Sequence, residues 1–254
     1  MLDLSIEDNT IIAKLNNPKT NSISLTVLKQ LDKILDRVND DEDIKGLILI
    51  GEGRFFSSGF CLPELTIFTD AQQAIDWFLY EEQVLLKLFC CTKPVVSCLN
   101  GHTVAGGMIF ALTSDYLIAL NNDRIKIGMS EIKIGLSLTP IEAEVMRWGL
   151  GSVKNYKDII FKAENINPVR ALEMGIIDEL VDQPELLLER AKQKVSALID
   201  TPSRPFIRLK KSHRRPAIIV MQQMLEECDW QPFGDSFVSE EVKNTLRQVQ
   251  ASME

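Results

Sequence analysis

The sequence predicts an α/β fold with a helix-rich C-terminal end, and three observations carry that prediction. Short apolar runs with strand character alternate with amphipathic helical stretches through the first half of the chain. Two glycine-rich turns each follow a predicted strand. From Ile141 onward the apolar spacing is mostly helical. With 254 residues, the chain is long enough for one large domain, or one domain with an appendage, around a real core.

The elements follow in order. Leu2 to Leu15 alternates apolar and polar residues around Glu7-Asp8-Asn9, which predicts a β-hairpin. Leu25, Leu28, Leu31, Leu35 and Val38 recur at steps of three and four, which predicts a helix. Ile44 to Ile50 reads as a buried strand ended by Gly51-Glu-Gly53, and Gly53 to Gly59 as a turn. Ala71 to Phe89 reads as a second helix and Pro94 to Leu99 as a short strand. Asn100 to Asp115 runs strand, turn, helix. Tyr116 to Ala119 and Ile125 to Ile127 read as further strands. Helical breaks fall at Gly149-Leu-Gly151, Asn165 to Pro168 and Gly175. Residues 203–254 read as helices punctuated by Pro205, Pro216 and Pro232. No internal repeat or low-complexity segment is visible.

Charge and composition narrow the function classes. Apolar residues make up 45% and charged residues 25%, an ordinary balance for a soluble globular protein. A net charge of −8 argues against nucleic acid as a partner. The exception is Arg208-Leu-Lys-Lys-Ser-His-Arg-Arg215, either a solvated helix end or a site for an anion. No apolar run reaches the length of a membrane span, and the acidic N-terminus lacks the features of a signal peptide. Cys61, Cys90, Cys91, Cys98 and Cys228 form no CxxC pair. Their odd number points to free, buried thiols and a reducing, cytoplasmic setting.

Several motifs are excluded. Gly51-Glu-Gly53 lacks the third glycine of a dinucleotide fingerprint, because Phe56 stands there. A phosphate loop, a metal-ligand spacing and a nucleophile elbow are all missing. Two glycine sites remain, Ser57-Ser-Gly59-Phe60 and Ala105-Gly106-Gly107-Met108. Glycine lets backbone approach a ligand, and two N–H groups converging on one carbonyl oxygen stabilise an enolate. Each glycine alone reads equally as a turn or packing residue. Glu131, in Gly128-Met-Ser-Glu131, is a candidate proton shuttle if its surroundings are apolar. Glu142 and Glu144 are expected to face solvent, on a helix that turns Ile141, Val145 and Trp148 inward.

Taken together, the segments Phe55-Phe-Ser-Ser-Gly-Phe60, Lys93-Pro-Val-Val, Asn100-Gly-His-Thr-Val-Ala-Gly-Gly, Ala111-Leu-Thr-Ser-Asp115-Tyr-Leu-Ile-Ala, Ile127-Gly-Met-Ser-Glu131-Ile-Lys-Ile-Gly135-Leu and Ala171-Leu-Glu-Met-Gly-Ile-Ile-Asp178 resemble the crotonase (enoyl-CoA hydratase/isomerase) superfamily. Order and spacing match from about residue 5 to 200. The resemblance implies a crotonase-like spiral of ββα units over residues 1–200, with 201–254 as a helical trimerisation region. It also implies a homotrimer or hexamer. The substrate is an acyl-CoA or acyl-carrier thioester, with no metal or other cofactor. By the same resemblance, the N–H groups of Phe60 and Gly106 form an oxyanion hole and Glu131 is the acid/base. Cys61, Leu62, Gly107 and Ile109 join Phe60 and Gly106 around the substrate. Phe60, Trp77, Phe78 and Phe89 are candidates for shaping the acyl pocket, and the basic cluster for meeting CoA phosphates.

Two departures bear on the reaction. Ile109 stands where family hydratases carry a second glutamate, and Cys61 where many members carry aspartate. The run Ala-Gly-Gly-Met-Ile-Phe-Ala-Leu-Thr-Ser-Asp-Tyr is instead similar to single-glutamate Δ3,Δ2-enoyl-CoA isomerases. Thr139 stands where some related isomerases place a further acid. The resemblance therefore implies an enoyl-CoA isomerase first. The alternatives are a dehydratase or decarboxylase of carrier-bound acyl groups, a hydratase, and a catalytically silent acyl-CoA- or RNA-binding relative.

Overall fold

A computed structural model describes residues 1–253. The chain starts as a hairpin. β1 (Leu2–Glu7) pairs antiparallel with β2 (Thr10–Leu15), and the turn residues Asp8 and Asn9 both have positive φ, 50° and 60°. That is the turn whose twist suits a two-residue hairpin. α1 (Leu25–Asp40) follows. It is capped by Ser24, which accepts the Val27 N–H, and it buries the spaced apolar face read from sequence.

Three units of one pattern come next. β3 (Gly46–Gly51) leads to β4 (Phe55–Ser57), α2 (Leu62–Leu65) and α3 (Ala71–Phe89). β5 (Val95–Leu99) leads to β6 (His102–Val104) and α4 (Gly106–Leu112). β7 (Tyr116–Leu120) leads to β8 (Ile127–Gly128), a 3₁₀ turn at Glu131–Ile134, and α5 (Pro140–Leu150). In each unit the first strand joins a six-stranded sheet, ordered β1-β2-β3-β5-β7-β9, where β9 is Glu179–Val181. The second joins a three-stranded sheet, ordered β4-β6-β8. Apart from the β1–β2 hairpin, every pairing in both sheets is parallel. The result is the spiral of ββα units.

Gly51 and Gly101 make the corners between sheets possible. A Cβ at either position would sit 2.1 Å from a carbonyl oxygen, of Phe55 and Arg54 respectively. Within the large sheet, side chains alternate. Leu47 and Leu49 face the main core, with Val95 and Leu99 beside them. Ile48, Ile50, Val96, Cys98 and Ile118 face the opposite way, under Leu187, Ala191, Val195 and Ile199 of α8 (Leu186–Ile199). Burying each of the larger aliphatics stabilises the fold by about 1.5–3 kcal/mol.

The rest of the chain is helical: α6 (Val153–Tyr156), a π-turn at Lys157–Phe161, α7 (Pro168–Glu173), α9 (Pro205–Glu227), α10 (Trp230–Val238) and α11 (Glu240–Met253). α10 packs on α3, and α11 on α2 and the 3₁₀ turn. Among the described residues no helix is long and apolar enough to cross a membrane.

Three expectations are corrected. Phe55–Ser57 is a strand rather than part of a turn, and Glu179–Val181 is a strand in a stretch expected to be helical. Segments of three residues are too short to display a period. Pro216 lies inside α9 without ending it. That helix is held on both sides of Pro216 by buried Lys210, Arg214, Ala217 and Met221. Of the cysteines, Cys91 and Cys98 are buried and Cys90 is exposed.

Two residues of the basic cluster on α9, Lys210 and Arg214, are neither solvated nor free for an anion. Lys210 and Arg214 are buried against the two carboxylate oxygens of Asp115, at 2.5 and 2.7 Å, and Asp115 also accepts the Val95 N–H. Removing one partner of such a group strands buried charge, at a cost of about 3–5 kcal/mol. Asp115→Ala is therefore expected to lower unfolding stability in urea by about that amount. A loss below about 1 kcal/mol, the range of an exposed pair, would contradict this account.

Candidate active site

The small sheet positions the site. β4, β6 and β8 lie side by side and parallel, so all three release the chain at the same edge. Beyond β4 come Gly59 and Phe60, beyond β6 come Ala105 and Gly106, and beyond β8 comes Glu131. Ligands to parallel sheets gather at this carboxyl edge.

The first two turns abut. A Cβ at Gly59 would meet the Ala105 Cβ at 2.6 Å and the Gly106 nitrogen at 2.9 Å. Gly59 has φ of +96°, which glycine adopts without strain. Ala105 has φ 55° and ψ −139°, a conformation that an L-residue rarely adopts. Ala105 in this conformation is the N-cap of α4, which begins at Gly106. Among the described residues, no hydrogen-bond acceptor takes the N–H of Phe60 or of Gly106. Two unused donors therefore lie on adjoining turns. The Phe60 ring lies over Gly106, where a Cβ would come within 3.2 Å of it, and stands edge-on to Trp77, Phe78 and Phe110.

Beneath these turns is a cavity of about 110 Å³. Phe60, Ala105, Ile109 and Glu131 line it, with Phe78 behind them and Phe233, Phe237 and Leu246 closing it from α10 and α11. A more open cleft of about 280 Å³ adjoins it through Ser58, Phe60 and Leu62, and is lined further by Lys19, Thr20 and Cys61. Gly107 instead packs against Ser57, whose carbonyl oxygen would be 2.5 Å from a Cβ there. Trp77 supports the aromatic cluster. Phe89 does not join it, lying against Trp148 and under the Arg214 guanidinium. The basic cluster borders a separate depression that shares no lining residue with the cavity or the cleft.

Glu131 has the surroundings of a proton shuttle. Its Oε2 is buried with no hydrogen-bond partner. Burial pushes its carboxyl up to about 7, against the pull of local backbone N–H groups and with a smaller push from Glu142.

Glu142 and Glu144 do not face solvent as expected; they are 3% and 6% exposed. Glu144 pairs with Arg147. Glu142 lines the cavity and reaches back to accept the Thr139 N–H at 2.8 Å, leaving its Oε1 without a partner. Behind it are two acids from α3. Glu82 accepts the Thr139 hydroxyl at 2.7 Å and the N–H groups of Ile141 and Glu142, whereas both oxygens of the fully buried Glu81 are unpartnered. Burial, then repulsion from Glu142, pushes the Glu81 and Glu82 carboxyls up, that of Glu82 to about 8. Burial likewise raises that of Glu142. Two sequence signals mark these acids. Thr139-Pro-Ile-Glu142 is a capping box, which folds the glutamate back on its own helix start. Glu81 and Glu82 also fall on the same helix face as Phe78 and Leu85.

The chain matches the enoyl-CoA hydratase/isomerase family model over residues 5–251. The protein belongs to this family. It is 30% identical to the mitochondrial enoyl-CoA delta isomerase 1 of Rattus norvegicus over 234 residues, 92% of this chain and 79% of the relative. It is 22% identical to a probable enoyl-CoA hydratase of Bacillus subtilis over 246 residues, 97% of this chain and 94% of the relative. The crystal structure of human mitochondrial delta3-delta2-enoyl-CoA isomerase superposes with a TM-score of 0.88 at 23% identity, covering 99% of this chain and 97% of that one. This crotonase-family member is therefore an enzyme of acyl-CoA chemistry.

The raised carboxyls fix the sign of a pH effect on stability. Between their ordinary value of 4.5 and neutral pH the folded chain binds more protons than the unfolded chain. Stability is then greatest below that window and falls as pH rises through it. Urea midpoints are expected to drop from pH 5 to pH 8, and Glu81→Gln to flatten the drop. A midpoint that rises over this range, with no effect of Glu81→Gln, would contradict the buried cluster.

Proposed function

We propose that this crotonase-family enzyme is an enoyl-CoA isomerase that moves a double bond from the 3- to the 2-position by a 1,3-proton shift. The observation that carries this reading is Glu131, a half-buried residue whose Oε2 is buried without a partner, in one cavity with apolar Ile109 and the Phe60 and Ala105–Gly106 turns. The thioester oxygen would accept the N–H groups of Phe60 and Gly106. Those donors gain strength as negative charge develops on that oxygen in the enolate. Glu131 removes a proton from C2, the electron pair moves into the thioester, and the proton returns at C4. A carboxyl raised to about 7 suits both halves of that transfer at neutral pH. The adjoining cleft, with Lys19, Thr20, Cys61 and Leu62, gives the CoA arm a route in. The step as proposed uses only the chain's own groups and the thioester, with no added cofactor.

Ile109 offers no second carboxylate on its wall to hold an attacking water, which favours proton transfer over hydration. The delta isomerase relative is consistent with that preference. Formation of conjugated 2-enoyl-CoA from 3-enoyl-CoA tests the reading. Glu131→Gln is expected to lower kcat by about 10²–10⁴-fold. Undiminished turnover in that variant would remove Glu131 as the base. In the wild type kcat/KM is expected to rise with pH and level off above about 7, as the base loses its proton. Turnover confined to carrier-protein thioesters, or faster water addition to crotonyl-CoA than isomerisation, would replace this reading.

A further inference from the structure

We infer that Phe233 is the stop that sets acyl length in this enzyme, so that the cavity takes acyl chains of about four to six carbons and rejects longer ones. The inference rests on the isomerase reading, in which that cavity holds the acyl group. Its first support is size. The cavity under the glycine turns has a volume of about 110 Å³. A cavity of ~150 Å³ holds a six-carbon ring, so this one fills within a few carbons of the thioester. Its second support is what lies behind one wall. A wider depression of about 350 Å³ shares Ser137, Leu138 and Phe233 with the cavity. The cleft assigned to the CoA arm meets the cavity elsewhere, through Ser58, Phe60 and Leu62. Among the described residues, cleft and depression share no lining residue. A thioester oxygen on the Phe60 and Gly106 N–H groups, with its CoA arm in the cleft, therefore leaves the Phe233 wall to the acyl tail.

Phe233 is the largest of the three wall residues, and its ring is held on three sides. It stands edge-on to Phe78 at 4.8 Å and to Trp230 at 5.7 Å between ring centroids, and lies 5.0 Å from Phe237. Such aromatic pairs add to plain burial, so the ring resists displacement. The helix beneath it is also seated. A Cβ at Gly234 would come within 2.8 Å of both the Ala71 carbonyl oxygen and the Ile75 side chain of α3. The wall is thus a fixed stop. Beyond it, Leu138, Pro140, Trp230 and Pro232 line the depression, an apolar surface on which methylenes could lie. With a small residue at 233, cavity and depression would become one channel. With Phe233 in place, carbons past about the sixth have to enter filled space, which weakens binding.

The experiment titrates the protein with saturated hexanoyl-, octanoyl- and dodecanoyl-CoA by calorimetry, and repeats the series with Phe233→Ala. The wild type is expected to bind dodecanoyl-CoA at least about tenfold more weakly than hexanoyl-CoA. In the variant, the affinity for dodecanoyl-CoA relative to hexanoyl-CoA is expected to rise at least about tenfold, because each methylene laid in the channel tightens binding by about two- to fourfold. The ratio separates a stop from a packing role, since lost packing alone weakens both lengths alike. Phe233→Leu keeps an apolar side chain on the helix face and is expected to raise the same ratio at least about threefold, which keeps the test open if the alanine variant does not fold. Dodecanoyl-CoA bound by the wild type as tightly as hexanoyl-CoA overturns the proposal, and so does a ratio that neither variant moves. Conversion of 3-hexenoyl-CoA is measured alongside. The expected order of affinities without conversion supports the stop and removes the isomerase reading, whereas conversion without that order removes the stop alone.

Discussion

The parallel pairing of three short strands is the constraint on which the rest depends. β4, β6 and β8 contribute eight residues in all, yet they deliver the Phe60 turn, the Gly106 turn and Glu131 to one edge. The large sheet and its helices supply the rigidity. The glycine corners at 51 and 101 let two of these strands leave that sheet. Strain at Ala105 is tolerable because β6 and α4 hold the residue from both sides. Asp115 ties the start of β7 to α9 through two buried cations.

Chemistry at that edge is governed by desolvation. Partial burial weakens the hydration of the Glu131 carboxylate, and its proton affinity rises into the range useful at neutral pH. The same low-dielectric surroundings make neutral backbone donors effective toward a developing enolate. Glu81, Glu82 and Glu142 extend the raised-carboxyl environment behind it. Buried acids are costly to a fold unless they are protonated or hydrogen-bonded, and Glu82 is hydrogen-bonded by the Thr139 hydroxyl and the N–H groups of Ile141 and Glu142. Glu131 and Glu142 line the cavity and each keeps one unpartnered oxygen, whereas Glu81 and Glu82 lie behind it.

Much of this was legible in the sequence. The short apolar runs ending at Ile50 and Leu99 mark the buried strands, and the three-and-four spacing of α1 marks a helix with one buried face. The two glycine turns and Glu131 were visible as candidates, and their order identified the family. Other features were not legible, for identifiable reasons. β4 and β9, with three residues each, are too short to carry a period. Lys210 and Arg214 read as part of a solvated helix end or an anion site because their partner, Asp115, lies about 100 residues away. Helical apolar spacing alone places Glu142 and Glu144 toward solvent, whereas the capping box turns Glu142 back onto its own helix start. The aromatic wall from Phe233 and Phe237 depends on α10 docking against α3, and nothing local to residues 230–238 encodes that.

The central claim concerns where the thioester oxygen sits relative to Glu131. A crystal structure with a non-isomerisable 3-enoyl-CoA analogue tests it most directly. The account predicts the thioester oxygen within hydrogen-bonding distance of both the Phe60 and Gly106 nitrogens, with C2 facing Glu131 Oε2 and the acyl chain against Ile109. A thioester oxygen bound away from these two N–H groups, or Glu131 directed away from C2, would contradict it.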